Sequence, residues 1–165
     1  MKQIIENCLI AGTLFILIVL PFIIFSRRLK KKREAEMLSK LNEVARGYGL
    51  KLTRYVTINN NLIGWDRENA GLLFMLDEER PEYIRLDDVG RCYTLKKMNG
   101  RDVRSISLEL HDRNGRLINS IPFYRQFTDS EMTLKKALQY SAEWELLIAT
   151  NIKERGDKLV NLQRV

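Results

Sequence analysis

The twenty residues from Asn7 to Ser26 carry no charged side chain, and six of the next seven, Arg27-Arg28-Leu29-Lys30-Lys31-Lys32-Arg33, are positive. Twenty helical residues at a rise of ~1.5 Å each span about 30 Å, the thickness of a bilayer's hydrocarbon core. The pattern predicts a transmembrane helix over 7–26, followed by a basic juxtamembrane segment and linker helix over 27–49. A cleaved secretory signal would have an apolar core of roughly 7 to 15 residues and a small-residue cleavage site. This run is longer and ends in Phe25-Ser26-Arg27-Arg28. One positive side chain, Lys2, precedes the run and six follow it, which predicts a single-pass protein of the cell (inner or plasma) membrane with its C-terminal body in the cytoplasm.

The same six side chains account for most of the formal net charge of +7 and leave 22 basic against 21 acidic residues elsewhere. A nucleic-acid-binding domain concentrates its basic residues on a folded face, so no nucleic-acid partner is expected. Arg27, Arg28, Lys30, Lys31, Lys32 and Arg33 are instead the candidate lipid-headgroup or topology residues, since each cation near an anionic leaflet contributes ~1 kcal/mol. The two cysteines, Cys8 and Cys92, would lie on opposite sides of the span and fit a reducing compartment. Cys92 reads as a small buried hydrophobe.

Glu34 to Arg46 reads as a short amphipathic helix ended by Gly47 and Gly49. From Leu50 to Phe127 the pattern changes to short apolar runs with turn residues every 8 to 12 positions, the texture of an antiparallel all-β unit. Seven strands are predicted: 51–58, 62–66, 72–76, 83–86, 91–97, 103–111 and 117–123. The separators include Asn59-Asn60-Asn61, Asn99-Gly100 and Asn114-Gly115, and the Asn-Gly pairs suit tight hairpins. Ile106, Leu108 and Leu110 alternate with Ser105, Ser107, Glu109 and His111, one face core and the other wet. Thr128-Asp129-Ser130-Glu131 reads as a capping box opening a helix. The helix buries Leu134, Ala137/Leu138, Ser141, Trp144, Ile148 and Ile152. Residues 156–165 read as a flexible tail.

Seven short strands followed by one amphipathic helix carrying Trp144, with Leu62-Ile63-Gly64-Trp65-Asp66-Arg67-Glu68-Asn69 leading to Leu72-Leu73-Phe74-Met75, and Ile121-Pro122-Phe123-Tyr124 before the helix, resemble bacterial pleckstrin-homology-like (PH-like) proteins with an N-terminal membrane helix. The resemblance covers roughly 50–154. It implies an N-terminal transmembrane α-helix plus an α+β soluble domain at 50–155, a seven-stranded antiparallel PH-like barrel or sandwich capped by a C-terminal helix. Phosphoinositide-binding members place several Lys and Arg around the first hairpin, where this chain has Asn59-Asn60-Asn61, which argues against inositol-phosphate recognition. The superfold also carries peptide-binding and architectural domains.

Catalytic signatures are lacking. His111 is the single histidine, Asp87-Asp88 and Asp77-Glu78-Glu79 read as hairpin ends rather than a metal site, and the nine glycines fall in no phosphate-loop spacing. No enzyme, no cofactor and no metal is expected. Tyr93, Tyr124, Phe127 and Tyr140 are the candidate partner groove. The functional expectation is a membrane-tethered, non-enzymatic PH-like module that docks a protein partner, the anionic leaflet, or both. The alternative is a small structural subunit of a larger membrane complex.

Overall fold

The computed structural model describes residues 2–58, 60–77 and 79–162, with side chains described for 13, 15–58, 60–77, 79–130 and 133–155. The chain divides into two compact units, Met1–Leu38 and Ser39–Val165. Helix α1, Lys2–Gly47, supplies the first unit and opens the second.

The expected membrane-spanning helix is overturned, because among the described residues no helix is long and apolar enough to cross a membrane. Arg27 and Arg28 close the uncharged part of α1 after Ser26. The single-pass topology, the cell-membrane location and the cytoplasmic placement of the body all rested on that span and fall with it. From Phe15 to Leu29 the described apolar side chains are exposed, Val19 alone being half-buried, and Phe15, Ile18, Phe22 and Phe25 are among them. The Cys8 side chain lies outside the described residues.

In the second unit, seven strands run β1 Arg54–Ile58, β2 Asn61–Asp66, β3 Gly71–Met75, β4 Glu82–Arg85, β5 Arg91–Asn99, β6 Asp102–His111 and β7 Leu117–Arg125. They do not form the seven-stranded barrel or sandwich expected. They form two separate antiparallel sheets, β1-β2-β3-β4 and β5-β6-β7. The break falls at a short 3-10 turn, Leu86–Asp88, whose flanking amides serve different sheets. The Leu86 N–H donates to the Ala70 carbonyl beside the first sheet, and the Gly90 N–H donates to the His111 carbonyl of the second (2.8 Å each), so no ladder joins β4 to β5. Gly90 is pressed against the Asp112–Arg113 backbone: an added Cβ would sit 2.6 Å from Arg113 Cα.

The first sheet is covered on both faces. Ile63, Trp65, Leu72 and Phe74 enter the main core with Ile106, Leu108, Leu110, Ile121 and Phe123 of the second sheet. On the other face Leu62, Leu73 and Met75 are fully buried. There Leu41, near the end of α1, and Leu52 come so close to Gly64 that a Cβ would lie 2.9 Å from each. Strands buried on two sides read as apolar runs without alternation, as Leu72-Leu73-Phe74-Met75 does. In β6 the alternation is regular, with Ile106, Leu108 and Leu110 buried.

The buried Asp66 carboxylate joins the chain after α1 to the β2–β3 turn. It accepts hydrogen bonds from the Lys51 N–H (2.7 Å), the Glu68 N–H (2.9 Å), the Asn69 N–H (3.1 Å) and Asn69 Nδ2 (2.8 Å). Burial alone would raise its pKa, but these donors outweigh burial and hold it below the ordinary carboxylate value. Helix α2, Glu131–Leu162, crosses both sheets and buries Ala137, Ser141, Trp144, Ile148 and Asn151. Its cap differs from the capping box read at Thr128: Ser130 Oγ accepts from the Thr133 N–H at 3.3 Å, and the Glu131 side chain lies outside the described residues. Asp129 Oδ2 accepts from the Arg125 N–H, tying the turn back to β7. The backbone of α2 continues helical through Leu162, into the segment read as a tail.

Two outcomes are expected from this packing. Gly90→Ala is expected to lower unfolding stability by about 2 kcal/mol in urea denaturation, because the added methyl meets backbone that cannot rotate away. Asp66→Asn is expected to cost about 2 to 3 kcal/mol at pH 7, since charged acceptors make hydrogen bonds of about 1.5–3 kcal/mol. A lowered folded pKa contributes stability above the unfolded value of about 4 and loses it as pH falls through the folded value. Stability measured from pH 7 to pH 2 should therefore fall less steeply below pH 4 in the Asn variant than in the parent.

Candidate functional site

A groove of about 540 Å³ opens between α2 and the edge of the first sheet formed by β1, β2 and the turn after β2. Its size lies within the range of ligand and peptide clefts. Arg54 comes from β1, Trp65 from β2 and Arg67 from the following turn, while Leu146, Leu147 and Asn151 come from α2. Two ion pairs cross it: Arg54 to Glu143 at 2.9 Å and Arg67 to Glu154 at 3.5 Å. Both arginines are thus already matched by carboxylates. Leu146 is 70% exposed, which leaves an apolar side chain standing in water between the two pairs.

The groove also holds a mismatched donor and acceptor. Trp65 Nε1 and Asn151 Oδ1 are buried and make no hydrogen bond within the chain. Trp65 is 9% and Asn151 5% exposed overall. Burying either group without a partner costs about 1–3 kcal/mol. The Trp65 carbonyl, by contrast, is satisfied by Thr53 through its N–H (2.8 Å) and its Oγ1 (3.0 Å), which holds the β2 backbone in place under the indole.

The aromatic residues expected to form a partner groove are dispersed. Tyr124 is buried in the main core and Tyr140 packs against it. Phe127 is 94% exposed at the turn before α2, with φ +71°, an unfavourable backbone for an aromatic residue. Tyr93 lies on the outer face of the second sheet. Arg27, Arg28, Lys30, Lys31, Lys32 and Arg33 are all exposed on α1, with Lys32 3.8 Å from Glu36. Sequence reasoning missed Trp65 and Asn151. The available signal was Asn151, a carboxamide three residues after Ile148 on the buried stripe of α2.

On the outer face of β5 and β6, Tyr93, Glu109 and His111 make a closed triangle. Tyr93 Oη lies 3.1 Å from Glu109 Oε2 and 3.0 Å from His111 Nε2, and Nε2 lies 3.1 Å from Oε2. The Tyr93 and His111 rings stack with centroids 5.0 Å apart. His111 Nδ1 is 3.1 Å from the Gly115 carbonyl, which can only accept, so Nδ1 carries a proton. A neutral ring would then turn an Nε2 lone pair toward the carboxylate, whereas an imidazolium donates to both sides. The Gly115 carbonyl and then Glu109 accordingly raise the His111 pKa. Behind this face, burial and then the Glu145 carboxylate push the Cys92 thiol up to about 12. Glu145 Oε2 also accepts the Thr94 N–H at 2.9 Å, clamping α2 to the edge of β5. Among the described residues no group of three or more His, Cys, Asp or Glu side chains is placed to hold a metal ion.

Comparison with protein-family models, with curated proteins and with solved structures finds no match to this chain.

The triangle makes the single imidazole a direct reporter. A raised folded pKa contributes stability that is fully present below the unfolded value of about 6.5 and is lost as pH rises through the folded value. NMR titration of His111 is expected to give a midpoint above 6.5, and Glu109→Gln is expected to bring it down toward 6.5.

Proposed function

We propose that residues 50–155 form a PH-like, non-enzymatic interaction module that docks a protein partner in the groove between α2 and the β1–β2 edge. The observation that carries this reading is the groove itself: an exposed leucine over an apolar wall, bordered by two ion pairs, with hydrogen-bonding groups left unmatched inside. Partner-binding clefts combine these features, an apolar anchor site with a few polar groups that set orientation. Support for the PH-like resemblance comes from the order of elements, four strands, then three, then a helix that buries its tryptophan. The reading as a binder rather than a catalyst is supported by the nucleophile and base candidates. The Cys92 thiol is pushed to about 12, and the His111 ring is engaged by Gly115, Glu109 and Tyr93.

A random-peptide library selected on the full-length chain is expected to return binders that Leu146→Glu weakens by about tenfold or more, a loss of roughly 1.4 kcal/mol. Met98→Glu, at an exposed position of β5, serves as the control and is expected to leave them unchanged. Binders indifferent to Leu146→Glu, or a library that returns none, would sink the docking reading.

A further inference from the structure

We infer that the partner segment docked in this groove presents a neutral amide, a glutamine- or asparagine-type carboxamide beside an apolar stem, to Trp65 and Asn151. The inference rests on the docking reading and adds the chemistry of what is docked. Trp65 Nε1 can only donate and Asn151 Oδ1 can only accept, and both are buried in one groove without a partner in the chain. A ligand that satisfies both must offer an acceptor and a donor. A carboxylate offers no donor, and an ammonium or guanidinium offers no acceptor. Among these head groups a neutral amide offers both, its carbonyl to the indole N–H and its N–H to the Asn151 carbonyl.

Charge points the same way. Arg54 and Arg67 each face a glutamate, so the charges lining the groove cancel and leave no net positive field to favour an anion. A neutral ligand leaves both pairs intact. The apolar stem has its place against the exposed Leu146 and the half-buried Leu147. Both polar atoms are shielded from solvent in the free chain, so the ligand reaches them by displacing side chains that line the groove. Docking then converts two unmet hydrogen bonds into two made ones, and the energetic gain is confined to ligands with the matching pair of groups.

The chain has two tryptophans, so the Trp65 indole N–H is one of two indole signals and is assigned by its loss in Trp65→Phe. The probes are 4-methylpentanamide, 4-methylpentanoate and 4-methylpentylamine, which share one apolar stem and differ only in the head group. Titrated into the full-length chain, the amide is expected to move the Trp65 indole proton downfield and to bind about tenfold more tightly than either charged probe. Asn151→Leu is expected to abolish that preference while leaving thermal stability equal or higher, because it removes an unmatched buried carbonyl. Equal binding of all three probes, or an amide that perturbs the Leu146 and Leu147 methyls without moving the indole proton, would overturn the amide inference and leave the docking reading standing. A Trp65 indole proton already downfield in the free chain and shifted upfield by Asn151→Leu would show the two side chains pairing with each other and would also overturn it. No probe response at any groove residue, together with a failed peptide selection, would remove both.

Discussion

The Asp66 carboxylate is the point on which the second unit turns. A buried carboxylate is tolerated only where donors surround it, and here four hydrogen bonds converge on it from Lys51, Glu68 and Asn69. Lys51 belongs to the connection leaving α1, whereas Glu68 and Asn69 belong to the turn between β2 and β3. One side chain therefore sets where the chain enters the first sheet and how its central hairpin closes. Leu50 and Leu52 are consequently held over Gly71 and Gly64, where glycines let them approach. A strand pair with both faces buried follows from that placement.

Trp65 precedes Asp66 on β2, and its side chain faces the opposite way. The period of two along a strand puts Asp66 on the α1 side and the indole on the side of the main core and α2. The position of the groove is thus coupled to the carboxylate network through one peptide unit. Helix α2 supplies the other wall while doing two further things. Trp144 and Ile148 fill the core, and Glu145 accepts the Thr94 N–H at the open edge of β5. Glu143 and Glu154, 11 positions apart on α2, meet Arg54 and Arg67. Arg155 adds a tie to Asp87 at 2.9 Å and to the Glu68 carbonyl at 2.8 Å. The groove is therefore held at several points by the same contacts that hold helix to sheet.

Local patterns were legible where the physics is local. Each predicted strand has a counterpart within about three residues at either end, because alternation and turn chemistry are properties of neighbours in sequence. The helix carrying Trp144 was equally plain from its spacing. The closed seven-stranded arrangement was not recoverable in the same way. Whether β4 pairs with β5 depends on where the Leu86 and Gly90 amides find acceptors, and those acceptors, Ala70 and His111, are remote in sequence. The aromatic residues end apart for a related reason: Tyr124 lies in the core, Tyr140 packs against it and Phe127 sits at a turn, and no spacing rule separates those fates.

The sequence by itself determined the identity and order of the seven strands and the last helix, the concentration of positive charge at Arg27–Arg33, and the inward stripe of α2. All of these follow from periodicity, propensity and turn residues acting over a few positions. Only the tertiary structure decided that Asp66 is buried rather than a solvated turn residue, that the strands divide into sheets of four and three, and that Trp65 and Asn151 share a groove 86 positions apart in sequence. Burial and pairing of polar groups depend on what the rest of the chain brings to them. A carboxylate or carboxamide reads the same in sequence whether it faces water, four amide donors or none.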